Sequence, residues 1–278
     1  MKKTVLITGA SSGIGKATTE KLLDDGYTVY ASARSTDKLK YLKARGAEIL
    51  ELDVTQDESM KSGVDRIKSE CGRLDILINN AGYGSYGALE DVPMEEARHQ
   101  FEVNVFGLGR LTQLVLPQMR EQSFGKIVNI TSVGGKIYEP LGSWYHASKF
   151  AVEGLSDCLR LELQPFAIDV IIVEPGPIRT EWGSIAIEKL MRMSGHTAYA
   201  KAAQTGAKLL ALSNDEKVAS EPEVIANTIS TALKAKQPKA RYAAGTGAKF
   251  LVTFRKFASD ALMDRFMQFM IKQAASRQ

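Results

Sequence analysis

Cysteine and histidine are both scarce in this 278-residue chain. The two cysteines, Cys71 and Cys158, lie far apart and in no metal-ligand spacing. A disulfide framework is therefore not expected, and a reducing setting, the cytoplasm, fits better. The three histidines, His99, His146 and His196, show no pairing, so no metal site is expected. Long apolar runs are missing too: none approaches the roughly 18 residues that would span a bilayer. The start, Met1-Lys2-Lys3 and a short apolar run, ends in a glycine loop and does not read as a signal peptide. Charge of one sign is also lacking, with 36 basic against 32 acidic residues and a net charge of +4. That balance, without a basic cluster interleaved with aromatics, does not argue for a nucleic-acid partner.

What the chain does have is apolar content, 44% of residues, enough for a substantial core. Short Val/Ile/Leu runs alternate with longer helical patterns, the mark of βαβ units around a parallel sheet. Strands are predicted at 4–8, 28–33, 48–52, 76–79, 126–130 and 169–174, with a short further one near 241–244. Most are unbroken apolar runs, which implies burial on both faces and helices on both sides of the sheet. Helical periods fall at 14–25, 37–44, 58–70, 93–121, 144–165 and 222–235. The expected fold is α/β, a Rossmann-type doubly wound sheet forming one domain over 1–278. Residues 181–220, without a strand signal, read as an embedded substrate lid, and 249–272 as a C-terminal helix.

The first strand runs into Thr8-Gly9-Ala10-Ser11-Ser12-Gly13-Ile14-Gly15 and then a helical pattern. Glycines let the backbone turn tightly and approach a phosphate, and the helix N-terminus offers free N–H groups to an anion. A nucleoside-triphosphate loop would carry Lys followed by Ser or Thr, whereas Lys16 is followed by Ala17. The spacing also departs from Gly-x-Gly-x-x-Gly, so by itself the loop points to a dinucleotide or to a glycine-rich turn without ligand. Arg34 and Ser35, closing the second strand, favour a 2′-phosphate and hence NADP(H) over NAD(H); a solvated surface arginine is the plainer alternative. Asp53, next to Val54 at the end of the third strand, suits the adenine amino group, although Asp is common at turns in any case.

Tyr145 and Lys149 stand i, i+4 at the start of a helical segment and so share a face. A tyrosine has an ordinary pKa of about 10. An ammonium about 5 Å away at an effective dielectric of about 20 is worth roughly 3 kcal/mol and would draw the phenol down toward neutrality. The pair would then be a working acid/base. Ser132 follows the 126–130 strand, so it, the glycine loop and Asn79-Asn80-Ala81-Gly82 all fall at carboxyl ends of strands, where ligands bind in open α/β sheets. Asn104, inside a helical pattern, needs buried polar partners, a bound water among the candidates.

These motifs, with Pro175-Gly176-Pro177-Ile178-Arg179-Thr180, resemble the short-chain dehydrogenase/reductase family over nearly the whole chain. Three softer stretches, Asn80–Gly84 with Gly87–Glu90, Glu153–Ser156 and Glu174–Pro177, are similar to its 17β-hydroxysteroid, retinol and acyl-dihydroxyacetone-phosphate reductase subgroup. The resemblance implies that Tyr145 exchanges a proton with the substrate oxygen and Ser132 orients that oxygen. It implies that Lys149 binds the nicotinamide ribose, Asn104 holds a relay water, and Pro175, Gly176, Ile178 and Thr180 cradle the nicotinamide. Gly9, Ser11, Ser12, Gly13, Ile14, Gly15, Asn80, Ala81 and Gly82 would complete the NADP site.

The expected activity is hydride transfer between NADP(H) and a ketone, secondary alcohol or aldehyde with an apolar portion. Trp182, Ile185, Ile187, Leu190, Met191 and Met193 give the lid an apolar face suited to such a substrate. Tyr138, with Tyr83 and Trp144, would line the same pocket. A stripe of Phe250, Phe254, Phe257, Phe266, Phe269 and Met270 reads best as packing against the lid or a neighbouring subunit, with peripheral membrane contact a weaker alternative. The resemblance further implies a homodimer or homotetramer built on 93–121 and 144–165. A dinucleotide-sensing binding protein without turnover is the competing function; such relatives typically lose the Tyr or Lys kept here. Sugar-nucleotide epimerase or dehydratase chemistry ranks lowest, because it uses another glycine spacing.

Overall fold

The computed structural model describes residues 2–276; positions 1, 277 and 278 of the expected 1–278 domain lie outside the described residues. Seven parallel strands form one sheet in the order β3-β2-β1-β4-β5-β6-β7. They are β1 (Thr4–Ile7), β2 (Thr28–Ala33), β3 (Glu48–Glu51), β4 (Ile76–Asn79), β5 (Gly125–Ile130), β6 (Ile168–Pro175) and β7 (Arg241–Ala244). The connecting helices are α1 (Gly13–Asp24), α2 (Lys40–Ala44), α3 (Asp57–Cys71), α4 (Met94–Phe101), α5 (Gly107–Glu121), α6 (Ser143–Leu163), α7 (Glu181–Ser194), α8 (Ala200–Ala211) and α9 (Pro222–Lys234). Two more, α10 (Ala248–Phe257) and α11 (Asp260–Ser276), follow β7.

Alternation along each strand divides the core in two. Val5 and Ile7 of β1 point to the face covered by Leu22 of α1 and by Ile225 and Ile229 of α9. Leu6, between them, points to the opposite face, against Ile67 of α3 and Leu111 and Val115 of α5. Apolar residues on both faces of the central strands are what make the unbroken Val/Ile/Leu runs necessary. This is the Rossmann-type doubly wound fold.

Three expected elements come out differently. The single helix over 93–121 is α4 and α5 joined by a π-helical turn at Glu102–Phe106. Asn104 sits in that turn and turns its carboxamide into the protein, where Tyr83 and Ser148 supply partners that a regular helix would not. The lid stretch is two helices, α7 and α8, with a 3₁₀ turn at Leu212–Asn214. The C-terminal helix is a hairpin: Ala258 adopts extended backbone after α10, and Ser259 opens α11 by accepting the Met263 N–H at 2.9 Å. The hairpin lets the aromatic stripe close on itself, with Phe254 and Phe266 rings 5.1 Å apart, and α11 packs on α8. No described helix is long and apolar enough to cross a membrane.

Glu174 is buried at the end of β6, and its Oε1 has no hydrogen-bond partner. Burial, then the negative charge of Glu153, pushes its carboxyl up to about 7. A carboxyl raised by folding stabilises while protonated, and that contribution is lost as pH rises through 7. Glu174→Gln is thus expected to raise the melting temperature at pH 8, with the gain shrinking at pH 5. Thermal unfolding at the two pH values checks this; an equal effect at both would rule out a buried ionisation as its cause.

Candidate active site

β1 and β4 lie side by side, yet the chain leaves them toward opposite edges of the sheet. Such a switch point opens a crevice at the carboxyl ends of the strands. A cavity of about 730 Å³ occupies it, lined by Gly9, Ser11, Ser12, Gly13, Ile14 and Gly15 of the loop that begins α1. Gly9 has φ +65°, and a Cβ there would come within 2.9 Å of Ala81 Cα. At Gly15 a Cβ would sit 2.2 Å from the Gly9 carbonyl oxygen, so only glycine lets the helix start close against the loop. Asn80 braces the turn from behind, donating to the carbonyls of Thr8 (2.9 Å) and Gly9 (3.1 Å). Thr8 Oγ1 in return accepts the N–H groups of Asn80 (3.0 Å) and Ala81 (2.9 Å). The first turn of α1 carries no acidic side chain, and the Ser12 hydroxyl makes no capping bond. Free N–H groups, a positive helix end and a rigid glycine turn fit a pyrophosphate.

The rim beyond this turn is basic. Arg34 lines the cavity, and so does Lys38, which the sequence pattern gave no reason to single out. Ser35 is outside the lining. Asp53 and Val54 line it, and Asp53 Oδ1 also accepts from the N–H (2.9 Å) and hydroxyl (2.8 Å) of Thr55, so the turn reading of that aspartate holds as well. Pro175, Gly176, Ile178 and Thr180 line the opposite side. Thr180 caps α7 by accepting the Trp182 N–H at 3.3 Å.

Ser132, Tyr145 and Lys149 line this same cavity. Ser132 leaves β5 in extended conformation, and its Oγ accepts the Gly134 N–H at 3.0 Å, which holds the hydroxyl in place. Tyr145 and Lys149 rise from the first turns of α6. Lys149 Nζ donates to the Ile130 carbonyl at 3.0 Å. Asn104 Nδ2 donates to the Tyr83 carbonyl and to Ser148 Oγ, both at 3.0 Å, and Oδ1 accepts the Tyr83 N–H at 3.1 Å. The asparagine side chain thereby joins the loop after β4 to α6, next to Lys149.

Burial reverses the expected titration of the pair. Tyr145 is pushed up to about 12, because burial disfavours the phenolate and the negative charge of Glu139 adds to it. A hydrogen bond with Ser132 pulls the other way without winning. Lys149 is itself drawn down to about 8 by burial. Desolvation of the two groups outweighs the attraction between ammonium and phenol that their i, i+4 spacing suggests. The phenol keeps its proton.

Aromatic rings wall the substrate side. Trp182 lies 5.1 Å from Tyr145 and 6.0 Å from Tyr86, ring centre to ring centre. Tyr83 lines the cavity, whereas Tyr138 and Trp144 do not. Tyr138 instead donates to Asp264 of α11 at 2.8 Å, and Trp144 packs on Phe101. Tyr86, Glu139 and His146 are lining residues that the sequence reading missed, since none belongs to a motif. The far wall is apolar and comes from α7, α8, α10 and α11, with Ile185, Leu209, Leu251, Met267 and Met270.

Comparison with known proteins agrees with this geometry. The family described as short chain dehydrogenase matches residues 3–189. The chain belongs to the short-chain dehydrogenase/reductase family. It is an NAD(P)-dependent oxidoreductase. A family member from Bacteroides thetaiotaomicron, a 3-ketodihydrosphingosine reductase, is 46% identical over 63% of this chain and 64% of its own length. An NADPH-dependent 3-dehydrocapnine reductase from Ornithobacterium rhinotracheale is 37% identical over 85% of this chain and 86% of its own. The crystal structure of a short-chain dehydrogenase from Streptomyces avermitilis superposes with a TM-score of 0.81 at 34% identity, covering 100% of this chain and 99% of that one.

The fit of α1 against the loop makes Gly15 a sharp probe of the cofactor site. Gly15→Ala is expected to weaken NADPH binding by about tenfold or more, measured by nucleotide fluorescence titration. Unchanged affinity would show that the loop does not carry the pyrophosphate.

Proposed function

We propose that this chain is an NADPH-dependent carbonyl reductase acting on a ketone or aldehyde with a long apolar portion. The observation that carries the reading is a cavity whose lining brings Ser132, Tyr145 and Lys149 together with the glycine loop and with an apolar wall from α7, α8, α10 and α11. The Bacteroides and Ornithobacterium relatives are named as reductases, the second as NADPH-dependent, which supports the reductive direction and the cofactor. Arg34 and Lys38 on the rim favour a 2′-phosphate on the same ground of charge.

In this reading Gly9, Ser11, Ser12, Gly13, Ile14 and Gly15 hold the pyrophosphate, Asp53 and Val54 the adenine, and Asn80, Ala81 and Gly82 the ribose side. Lys149 holds the nicotinamide ribose, and Pro175, Gly176, Ile178 and Thr180 the nicotinamide itself. A reduced nicotinamide bound there supplies the hydride. Ser132 orients the carbonyl by donating to its oxygen. Tyr145 gives its proton to that oxygen as the carbon is reduced, and the high affinity of the buried phenol for its proton suits an acid that must not ionise between turnovers. Asn104 holds a water in the proton relay, and its bond to Ser148 ties it to the turn of α6 that carries Lys149. Residues 181–220 act as the lid over the substrate. Assembly as a homodimer or homotetramer through α4–α5 and α6 belongs to the same reading, supported by the exposed Phe106, Phe150 and Leu161 on those helices. So does a cytoplasmic location, in keeping with two free thiols at Cys71 and Cys158.

Loss of absorbance at 340 nm with NADPH and a long-chain ketone tests the activity. Tyr145→Phe is expected to lower kcat by about 10²–10⁴-fold while NADPH still binds. Full activity in that variant would remove Tyr145 from the proton transfer, and tight NADPH binding without turnover across a carbonyl panel would favour a dinucleotide sensor. Arg34→Asp is expected to shift the kcat/KM preference from NADPH toward NADH, and an unaltered ratio would take the phosphate away from Arg34.

A further inference from the structure

The C-terminal hairpin closes the cavity with one face and leaves a second apolar face open. Phe266 of α11 lines the cavity, and its ring lies 5.1 Å from Phe254 and 6.4 Å from Phe250 of α10. Phe250 and Phe254 in turn line a separate groove of about 290 Å³, together with Phe257 and Leu262. Phe266 thus stands between the cavity and the groove. The groove is uncovered: Phe257 is 79% exposed, Phe250 60% and Leu262 47%. Phe269, 56% exposed, continues the stripe, because Leu262, Phe266 and Phe269 share a face of α11 at i, i+4, i+7. Packing of α11 on α8 uses another face, on which Met263, Met267 and Ala274 are buried. Single apolar residues are ordinary on a surface, whereas a contiguous patch of this kind marks a contact.

Cations run beside the stripe on both helices. Lys249 and Lys256 stand i, i+7 on α10, and Arg265 and Lys272 i, i+7 on α11, all four exposed. Among the described residues none of the four forms an ion pair. The acids of the hairpin are engaged elsewhere: Asp260 pairs with Arg255 at 2.9 Å, and Asp264 accepts the Tyr138 hydroxyl at 2.8 Å. An apolar stripe flanked by unpaired cations is complementary to an anionic phospholipid surface, where rings enter the acyl boundary and cations meet the phosphates. A second copy of this chain is a poorer match, because a twofold contact through this face brings the same cations against one another.

We propose that the α10–α11 hairpin docks on an anionic membrane surface, with Phe250, Phe257 and Phe269 at the headgroup boundary and the four cations on the phosphates. The hairpin lies on the surface, since no described helix is long and apolar enough to cross. Docked in this way, the chain holds the apolar wall of its cavity one aromatic layer from the lipid. Docking does not depend on the carbonyl-reductase activity, because vesicle binding is measured without turnover.

Co-sedimentation of the full chain with vesicles tests this, using phosphatidylcholine alone and phosphatidylcholine with about one third phosphatidylglycerol. The chain is expected to partition onto the anionic vesicles about tenfold or more strongly than onto the neutral ones. That preference should shrink as salt rises, because salt screens exposed charges. Lys249→Glu with Lys256→Glu should lower binding to the anionic vesicles about tenfold or more. Phe257→Ser with Phe269→Ser should lower it by a similar factor at every salt concentration. NADPH titration shows which variants are folded; where one is not, the other variant and the parent's lipid and salt dependence decide. No binding of the parent to anionic vesicles, equal binding to both lipids, or undiminished binding in the folded variants overturns the proposal. Self-association that Phe257→Ser with Phe269→Ser abolishes, without vesicle binding, also overturns it and assigns the face to a second copy.

Discussion

Glu153 stands one helical turn beyond Lys149 on α6, buried, with both carboxylate oxygens engaged. Oε1 accepts the Thr131 hydroxyl at 2.7 Å, and Oε2 meets Lys136 at 2.7 Å and Arg241 at 3.0 Å. Thr131 immediately precedes Ser132, and Arg241 opens β7. One carboxylate therefore ties the end of β5, the Ser132 turn, α6 and β7 together. That junction supports the register of Ser132 against Tyr145 and Lys149, which come from separate elements, together with the Lys149–Ile130, His146–Gly134 and Asn129–Ser156 bonds. Removing one partner of a buried charged cluster typically costs about 3–5 kcal/mol, far more than a surface pair contributes. Arg241 also stands 3.7 Å from Glu174, whose carboxyl is raised first by burial and then by the negative charge of Glu153.

Burial decides the chemistry as well as the geometry. An ammonium beside a phenol lowers the pKa only where the ammonium survives, and an enclosed lysine resists charging. Here both groups are enclosed, and each moves toward its neutral form. The tyrosine thereby keeps its proton, and in the proposed reaction it would release that proton as charge develops on the substrate oxygen. That asymmetry suits reduction, in which the acid must be loaded before hydride arrives.

The strand positions were legible because parallel strands buried on both faces must be apolar throughout, and the glycine loop because a turn that close to a helix excludes side chains. The site residues that stand in motifs, among them Gly9, Gly15, Ser132, Tyr145 and Lys149, could be placed for that reason. Asn104 drew notice as a polar residue in a helical pattern, yet its π turn was not legible. Its cause is a pair of contacts with Tyr83 and Ser148, 21 and 44 residues away. The break at Ala258 was hidden because the aromatic spacing continues through it, and only the packing of Phe254 on Phe266 selects the hairpin. Tyr138 illustrates the converse: it lies six residues after Ser132, but its hydroxyl is taken by Asp264 across 126 residues. Glu139, Tyr86 and His146 gave no local signal, because they belong to no motif and come together only in the folded cavity.

The division between legible and hidden follows the division of labour in the cavity. The family match ends at residue 189, and it spans the glycine loop, Ser132, Tyr145, Lys149 and the Pro175–Thr180 stretch. Leu209, Leu251, Met267 and Met270, which close the apolar wall, all lie beyond it. Hydride transfer imposes the same geometry on every substrate, so its residues recur at fixed spacing. An apolar wall can be met by many packings of Leu, Met and Phe, since dispersion and burial are not directional. In the proposed reaction, α8, α10 and α11 could therefore be reshaped for a different carbonyl compound while the chemistry stayed the same.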